Sequence, residues 1–131
     1  MLVVDTSAVL AALLNPSHPV RAVLVDDGDL HSPHLLDVEF AHALARLVRR
    51  QLLTDEQADG VRRDFDDLLI VRYPHQPMAD RIWELRHNLS AYDAAFVALA
   101  ELLTAPLVTC DEKLAGAPGH DASVMLVRTK R

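Results

Sequence analysis

The sequence predicts an α/β fold: a doubly wound parallel β-sheet flanked by helices, with a helical hairpin as an arm. Three observations predict it. Short apolar runs at both ends of the chain, residues 2–4, 107–109 and 124–127, alternate with stretches of helical periodicity. These runs lack an apolar/polar alternation, as expected of parallel strands buried on both faces. The chain has 131 residues, 50% hydrophobic but only 5% aromatic, which suits one domain (1–131) with a core of Ala, Val and Leu.

Residues 2–4 read as a strand ending at Asp5-Thr6-Ser7, after which Val9, Leu10, Leu13 and Leu14 recur at helical spacing. Asn15-Pro16 interrupts that helix, and a second one follows from Pro19 to Val25, stopped by Asp26-Asp27-Gly28-Asp29. His31 and Ser32 are placed on a short second strand. Leu36, Phe40, Ala43, Leu44 and Leu47 trace one face of a long helix between Pro33 and Gln51. Thr54 and Gln57 have capping-box spacing, and Ala58, Val61, Phe65, Leu68 and Leu69 form the stripe of the hairpin's second helix. Residues 69–71 fit either the end of that helix or the start of a strand. Pro74 and Pro77 precede a helix through Ile82, Trp83 and Leu85. Residues 92–103 are apolar almost all round and read as a helix buried in the middle of the fold; two buried strands complete the pattern. The tail from Arg128 to Arg131 is basic and reads as frayed.

The net charge of −6 excludes a protein that coats nucleic acid through a broad basic surface. An acidic enzyme acting on nucleic acid needs divalent cations held by its own carboxylates. The single cysteine, Cys110, forms no internal bridge, no apolar run reaches the length of a membrane span, and Asp5 breaks what would be a leader's apolar stretch. A cytoplasmic location with no membrane partner is expected.

Four carboxylates stand out. Asp5 and Asp111 each follow an apolar strand, and ligands of open parallel sheets bind beyond the strands' carboxyl ends. Glu39 lies on or beside the buried face of its helix, where a lone charge is costly. Asp93 sits in the first turn of the central helix, where amide ends favour an anion and water is excluded. Each acid also has an ordinary structural role available: Asp5 and Asp111 as helix caps, Asp93 in a box with Ser90, Glu39 paired with an arginine. Converging carboxylates are hard oxygen ligands suited to Mg²⁺ or Mn²⁺, ions that activate water and steady a departing phosphate-ester oxygen.

The segment Val4-Asp5-Thr6-Ser7-Ala8-Val9-Leu10 resembles the opening motif of PIN-domain nucleases. Leu89-Ser90-Ala91-Tyr92-Asp93-Ala94-Ala95 is similar to the motif around their third acid, and residues 107–115 to the segment carrying the fourth. Glu39, six residues after Pro33, matches the second. The resemblance spans nearly the whole chain and is greatest to the VapC toxins of bacterial toxin–antitoxin pairs. It implies metal binding by Asp5, Glu39, Asp93 and Asp111, with Thr6, Ser7 and Thr109 as supporting polar groups. It further implies an endoribonuclease with one or two Mg²⁺ or Mn²⁺ ions, an RNA substrate, a cognate antitoxin protein and a homodimer. Apolar helices with a groove between them suit an amphipathic partner helix.

Other readings are open at this level. A PIN relative that binds RNA or protein without cleaving is the leading alternative. The pairs Glu39/His42 and Glu84/His87 have the spacing of di-iron helix bundles, which leaves the terminal strands unexplained. An aspartyl-phosphate enzyme would carry a second aspartate where Ser7 stands. His31 and His34 lack partners for zinc. Cys110 is expected to point into the core. Lys113 is a candidate for contact with a substrate phosphate, Arg46, Arg49 and Arg50 suit either phosphate or their helix's carboxyl end, and Asp64, Asp66 and Asp67 form a solvated face.

Overall fold

The computed structural model describes residues 1–129; Lys130 and Arg131, the end of the basic tail, lie outside the described residues. Five parallel strands form one sheet in the order β3-β2-β1-β4-β5: β1 Leu2–Val4, β2 Leu30–Pro33, β3 Ile70–Tyr73, β4 Leu107–Thr109 and β5 Val124–Leu126. The order runs outward in both directions from β1, so the chain reverses its winding between β1 and β4. That junction opens a crevice beyond the strands' carboxyl ends. Val4 is in register with Val108, which sets Asp5 beside Thr109; the Asp5 N–H donates to the Val108 carbonyl at 3.3 Å.

The α-helices are α1 Thr6–Leu14, α2 Pro19–Asp27, α3 Leu35–Arg49, α4 Asp55–Asp67, α5 Ala79–Glu84, α6 Ala91–Leu103 and α7 Glu112–Ala115. Every residue of β1, β2 and β4 is buried, which requires cover on both faces of the sheet. Helix α6 packs across β1, β2 and β4 with α5 beside it, while α1 packs against α2, α3 and α4. No single helix among the described residues is long and apolar enough to cross a membrane.

Local signals explain the boundaries. His18 caps α2 through Nδ1, which accepts from the Val20 N–H, Pro19 fills the first helical position, and Gly28 ends the helix at φ +71°. Thr54 and Gln57 form the capping box of α4. Helix α3 has no cap from its own sequence; the Leu35 N–H donates to Nε2 of the distant His75. The expected hairpin is α3 and α4, closed by stacking of Phe40 on Phe65 with ring centroids 4.0 Å apart, seated on α1, and bearing exposed Leu52 at its tip.

One open choice is settled and two expectations need correcting. Residues 70–73 are a strand, the second of the two alternatives, stabilised by pairing with β2 along its whole length, an attraction no local pattern reveals. Strand β5 is only partly buried, because it is an edge strand with one neighbour. Helix α6 is buried through Ala94–Ala100, but Tyr92 and Leu102 face outward: the apolar side chains at both ends overrun the sheet they cover.

Candidate active site

Asp5 stands at the carboxyl end of the central strand and is 5% exposed. It caps α1: Oδ1 accepts from the Ala8 N–H at 2.9 Å and from the Ser7 hydroxyl at 2.7 Å. Its Oδ2 accepts from the hydroxyl of Thr109, wholly buried at the end of β4, at 2.5 Å. Burial pushes the Asp5 carboxyl above the usual range; the bonds from Thr109, Ala8 and Ser7 pull it back, and the charge of Asp111 raises it again.

Thr109 is shared. Its Oγ1 also accepts from the Asp111 N–H at 3.0 Å, and the Ser7 Oγ accepts from the Cys110 N–H at 2.9 Å. The two hydroxyls lie 3.2 Å apart, and since each commits its one proton to Asp5, that approach is a contact and not a further bond. The network ties β1 to β4 at the point where the crevice opens. Ser32, buried at the end of β2, adds a bond from its hydroxyl to the Val4 carbonyl at 2.9 Å. Neither Ser32 nor the Cys110 amide carries a sequence signal; both act through a position that register alone determines.

Asp111 caps α7, accepting from the Lys113 N–H at 2.9 Å. Asp93 is the third residue of α6, and its own N–H donates to the Ser90 hydroxyl at 3.1 Å. Its carboxyl is raised above the usual range, by burial first and then by the charge of Asp111, with Ser90 opposing. It is half-buried, not in the water-free surroundings expected of it. Glu39, half-buried on α3, accepts from the Thr6 hydroxyl at 2.7 Å and shares a cleft of about 460 Å³ with Tyr92 at the start of α6.

The structural and chemical roles of these acids therefore coincide: Asp5 and Asp111 cap their helices while their charges meet across the junction. Glu39 pairs with a hydroxyl, and no ion pair among the described residues involves any of the four acids. Asp37, two residues from Glu39, points elsewhere and holds Arg72 through two bonds of 2.7 and 2.9 Å. The di-iron reading fails in detail, since Glu39 is bound to Thr6 and Glu84 to Arg81. Lys113 is exposed beside Asp111. Cys110 is partly buried and packs against the core as expected, while also lining a cleft; its thiol is pushed up to about 11 by burial and by the charge of Asp5, so it stays protonated.

Asp111 repels both Asp5 and Asp93, none of the three has a cationic partner among the described residues, and with Glu39 they supply the hard oxygen donors that suit a divalent cation. Among the described residues no three His, Cys, Asp or Glu groups converge on one point. Both Asp5 oxygens accept from protein donors, which fixes the orientation of its carboxylate.

Comparison with known proteins agrees with this architecture. The model of the PIN domain matches residues 2–119. Ribonuclease VapC1 of Mycobacterium tuberculosis is 43% identical over 129 residues, covering 96% of this chain and 97% of that protein. Ribonuclease VapC9 of the same organism is 48% identical over 116 residues, covering 87% and 88%. The crystal structure of VapBC2 from Rickettsia felis bound to a DNA fragment from their promoter superposes with a TM-score of 0.73 at 14% identity, covering 97% of this chain and 98% of that one. The chain belongs to the PIN-domain family, among its VapC ribonucleases.

Proposed function

We propose that this chain is a divalent-metal-dependent endoribonuclease that hydrolyses RNA phosphodiester bonds as the toxin of a toxin–antitoxin pair. The observation that carries this is a set of acids without cationic partners near the β1/β4 junction: Asp5 and Asp93, each raised above the usual carboxylate range by burial and by the charge of Asp111, with Glu39 tied to Thr6 beside Asp5. The whole described chain serves this one site, and residues 1–131 act as a single PIN domain.

In this reading Asp5, Glu39, Asp93 and Asp111 hold one or two Mg²⁺ or Mn²⁺ ions. When bound, such ions supply Lewis acidity, lower the pKa of water and offset the charge of a phosphodiester. The chain's own groups do the positioning. Thr109 and Ser7 fix the Asp5 carboxylate, Thr6 fixes Glu39, and Thr109 also orients the main chain at Asp111. Lys113 is placed to meet a substrate phosphate. Bound cations offset the charge of an anionic protein toward an anionic substrate, so RNA should bind more tightly with metal than without it.

The relatives named VapC, and the VapBC2 complex, point to a cognate antitoxin as protein partner. The chain leaves Val25, Val38, Leu52, Leu69 and Trp83 exposed, apolar area available to a partner or to a second copy in a homodimer. Light scattering of the chain alone, and with the protein encoded beside it, separates these.

The test is incubation of the purified protein with mixed cellular RNA in Mn²⁺ or Mg²⁺, and again in chelator, beside Asp93→Asn. Discrete cuts that require both metal and Asp93 support the proposal. RNA binding in metal without turnover would assign the chain to non-catalytic relatives instead.

A further inference from the structure

Next to the acids lies a second cleft, of about 750 Å³, lined by His18, Cys110, Glu112, Val127, Arg128 and Thr129. Its size is that of a small-ligand site. It adjoins the junction directly: Cys110 separates Thr109 from Asp111 in the chain, and its N–H is bonded to Ser7. Elements from three parts of the sequence form its walls: the cap of α2, the start of α7 and the segment after β5.

Two side chains give the cleft its chemistry. His18 Nδ1 accepts from the Val20 N–H at 3.1 Å, so that nitrogen is unprotonated and Nε2 carries the hydrogen. The ring thus offers one N–H donor, which makes no protein hydrogen bond among the described residues, and a flat face for stacking. Arg128 is held by Glu112 at 2.8 Å, with both side chains about two-thirds exposed (64% and 68%). Such a pair is weak and exchanges readily for a stronger anion. Val127 adds an apolar side chain to the lining. On a chain of net charge −6, a guanidinium beside the acidic junction is a scarce resource for meeting a polyanion.

We infer that this cleft is the subsite for the nucleotide adjoining the scissile phosphate, with Arg128 exchanging Glu112 for an RNA phosphate and His18 stacking its face on the base while its in-plane Nε2–H donates to the ribose. The inference rests on the proposed nuclease function and extends it to substrate recognition.

The test uses a labelled single-stranded RNA oligonucleotide, read by fluorescence anisotropy in chelator, and the same RNA in steady-state cleavage with Mn²⁺. The variants are Arg128→Ala, Glu112→Gln and His18→Asn, the last keeping a side-chain acceptor for the Val20 amide and so the cap of α2. Arg63→Ala, an exposed cation on α4, is the control. Arg128→Ala is expected to flatten the slope of log affinity against log salt by about 0.7, the contribution of one single-strand phosphate contact. His18→Asn is expected to lose about tenfold in affinity with the slope unchanged, as loss of one stacked base does. Both raise KM more than they lower kcat, and Glu112→Gln tightens binding by releasing Arg128. Wild-type cleavage together with variants that match it in affinity, salt slope and KM would overturn the subsite and leave the nuclease intact. A wild-type chain that neither binds nor cuts RNA would overturn the nuclease reading and the subsite with it.

Discussion

Replacing Thr109 by valine removes one oxygen from a buried position and leaves the shape almost unchanged. That oxygen donates to Asp5 Oδ2 and accepts from the Asp111 N–H, and the residue is wholly buried. A hydrogen bond to a charged group contributes about 1.5–3 kcal/mol, and orphaning a partly buried amide adds about 1, so Thr109→Val should cost roughly 2–4 kcal/mol. For a chain of this size each kcal/mol moves the melting temperature by about 4 °C, which gives a fall of roughly 8–16 °C. Thr109→Ser keeps the hydroxyl and loses only a methyl, for about 1 kcal/mol. Urea and thermal unfolding of both variants measure the difference. If valine and serine destabilise equally, the hydroxyl does not hold the junction and the role assigned to Thr109 is wrong.

Further expectations concern charge, acid and backbone. Asp93 has a folded-state pKa above its unfolded value, so ionisation costs stability that is lost as pH rises through this interval. Asp93→Asn should therefore be more stable than the wild type at neutral pH while losing cleavage, checked by denaturation in chelator beside an RNA assay. Divalent metal at about 100 times its Kd should stabilise the wild type by about 2.7 kcal/mol and the variant by much less. Glu101 accepts from Arg81 at 2.7 and 2.8 Å and from the Asp121 N–H, and Arg81 holds its carboxyl below the ordinary range. Its stabilisation is present above the unfolded pKa and vanishes as pH falls through the depressed folded value; Glu101→Gln should cost about 1–2 kcal/mol at neutral pH and little in strong acid, read from melting curves across pH. Gly119 has φ +89°, and a Cβ there would collide with the Asn88 side-chain amide, so Gly119→Ala should destabilise by about 1–3 kcal/mol in urea titration.

The parts of the fold legible in the sequence were those whose cause is local. Apolar runs without alternation marked β1 and β4, and the Thr54/Gln57 box marked the start of α4. Strand β3 was ambiguous because its partner lies forty residues earlier in the chain, as the pairing of Leu30 with Ile70 shows. The acids were found because each follows a recognisable element boundary or sits at a helical phase. Their supports were less visible: Ser32 and the Cys110 amide depend on register, and the exchangeable Arg128–Glu112 pair on the return of the chain after β5. The cleft that Cys110 also lines has the same origin. A residue after a short strand is free to face either way, and the Ser7 hydroxyl that fixes its amide is 103 positions distant.

The central claim, that the acids at the β1/β4 junction form one metal centre, is tested most directly by titrating Mn²⁺ and following loss of the free-ion electron paramagnetic resonance signal. The wild type should bind, and Asp5→Asn, Asp93→Asn, Asp111→Asn and Glu39→Gln should each weaken binding by about tenfold or more, as losing a charged ligand does. Equal Mn²⁺ affinity in all four folded variants would contradict the claim.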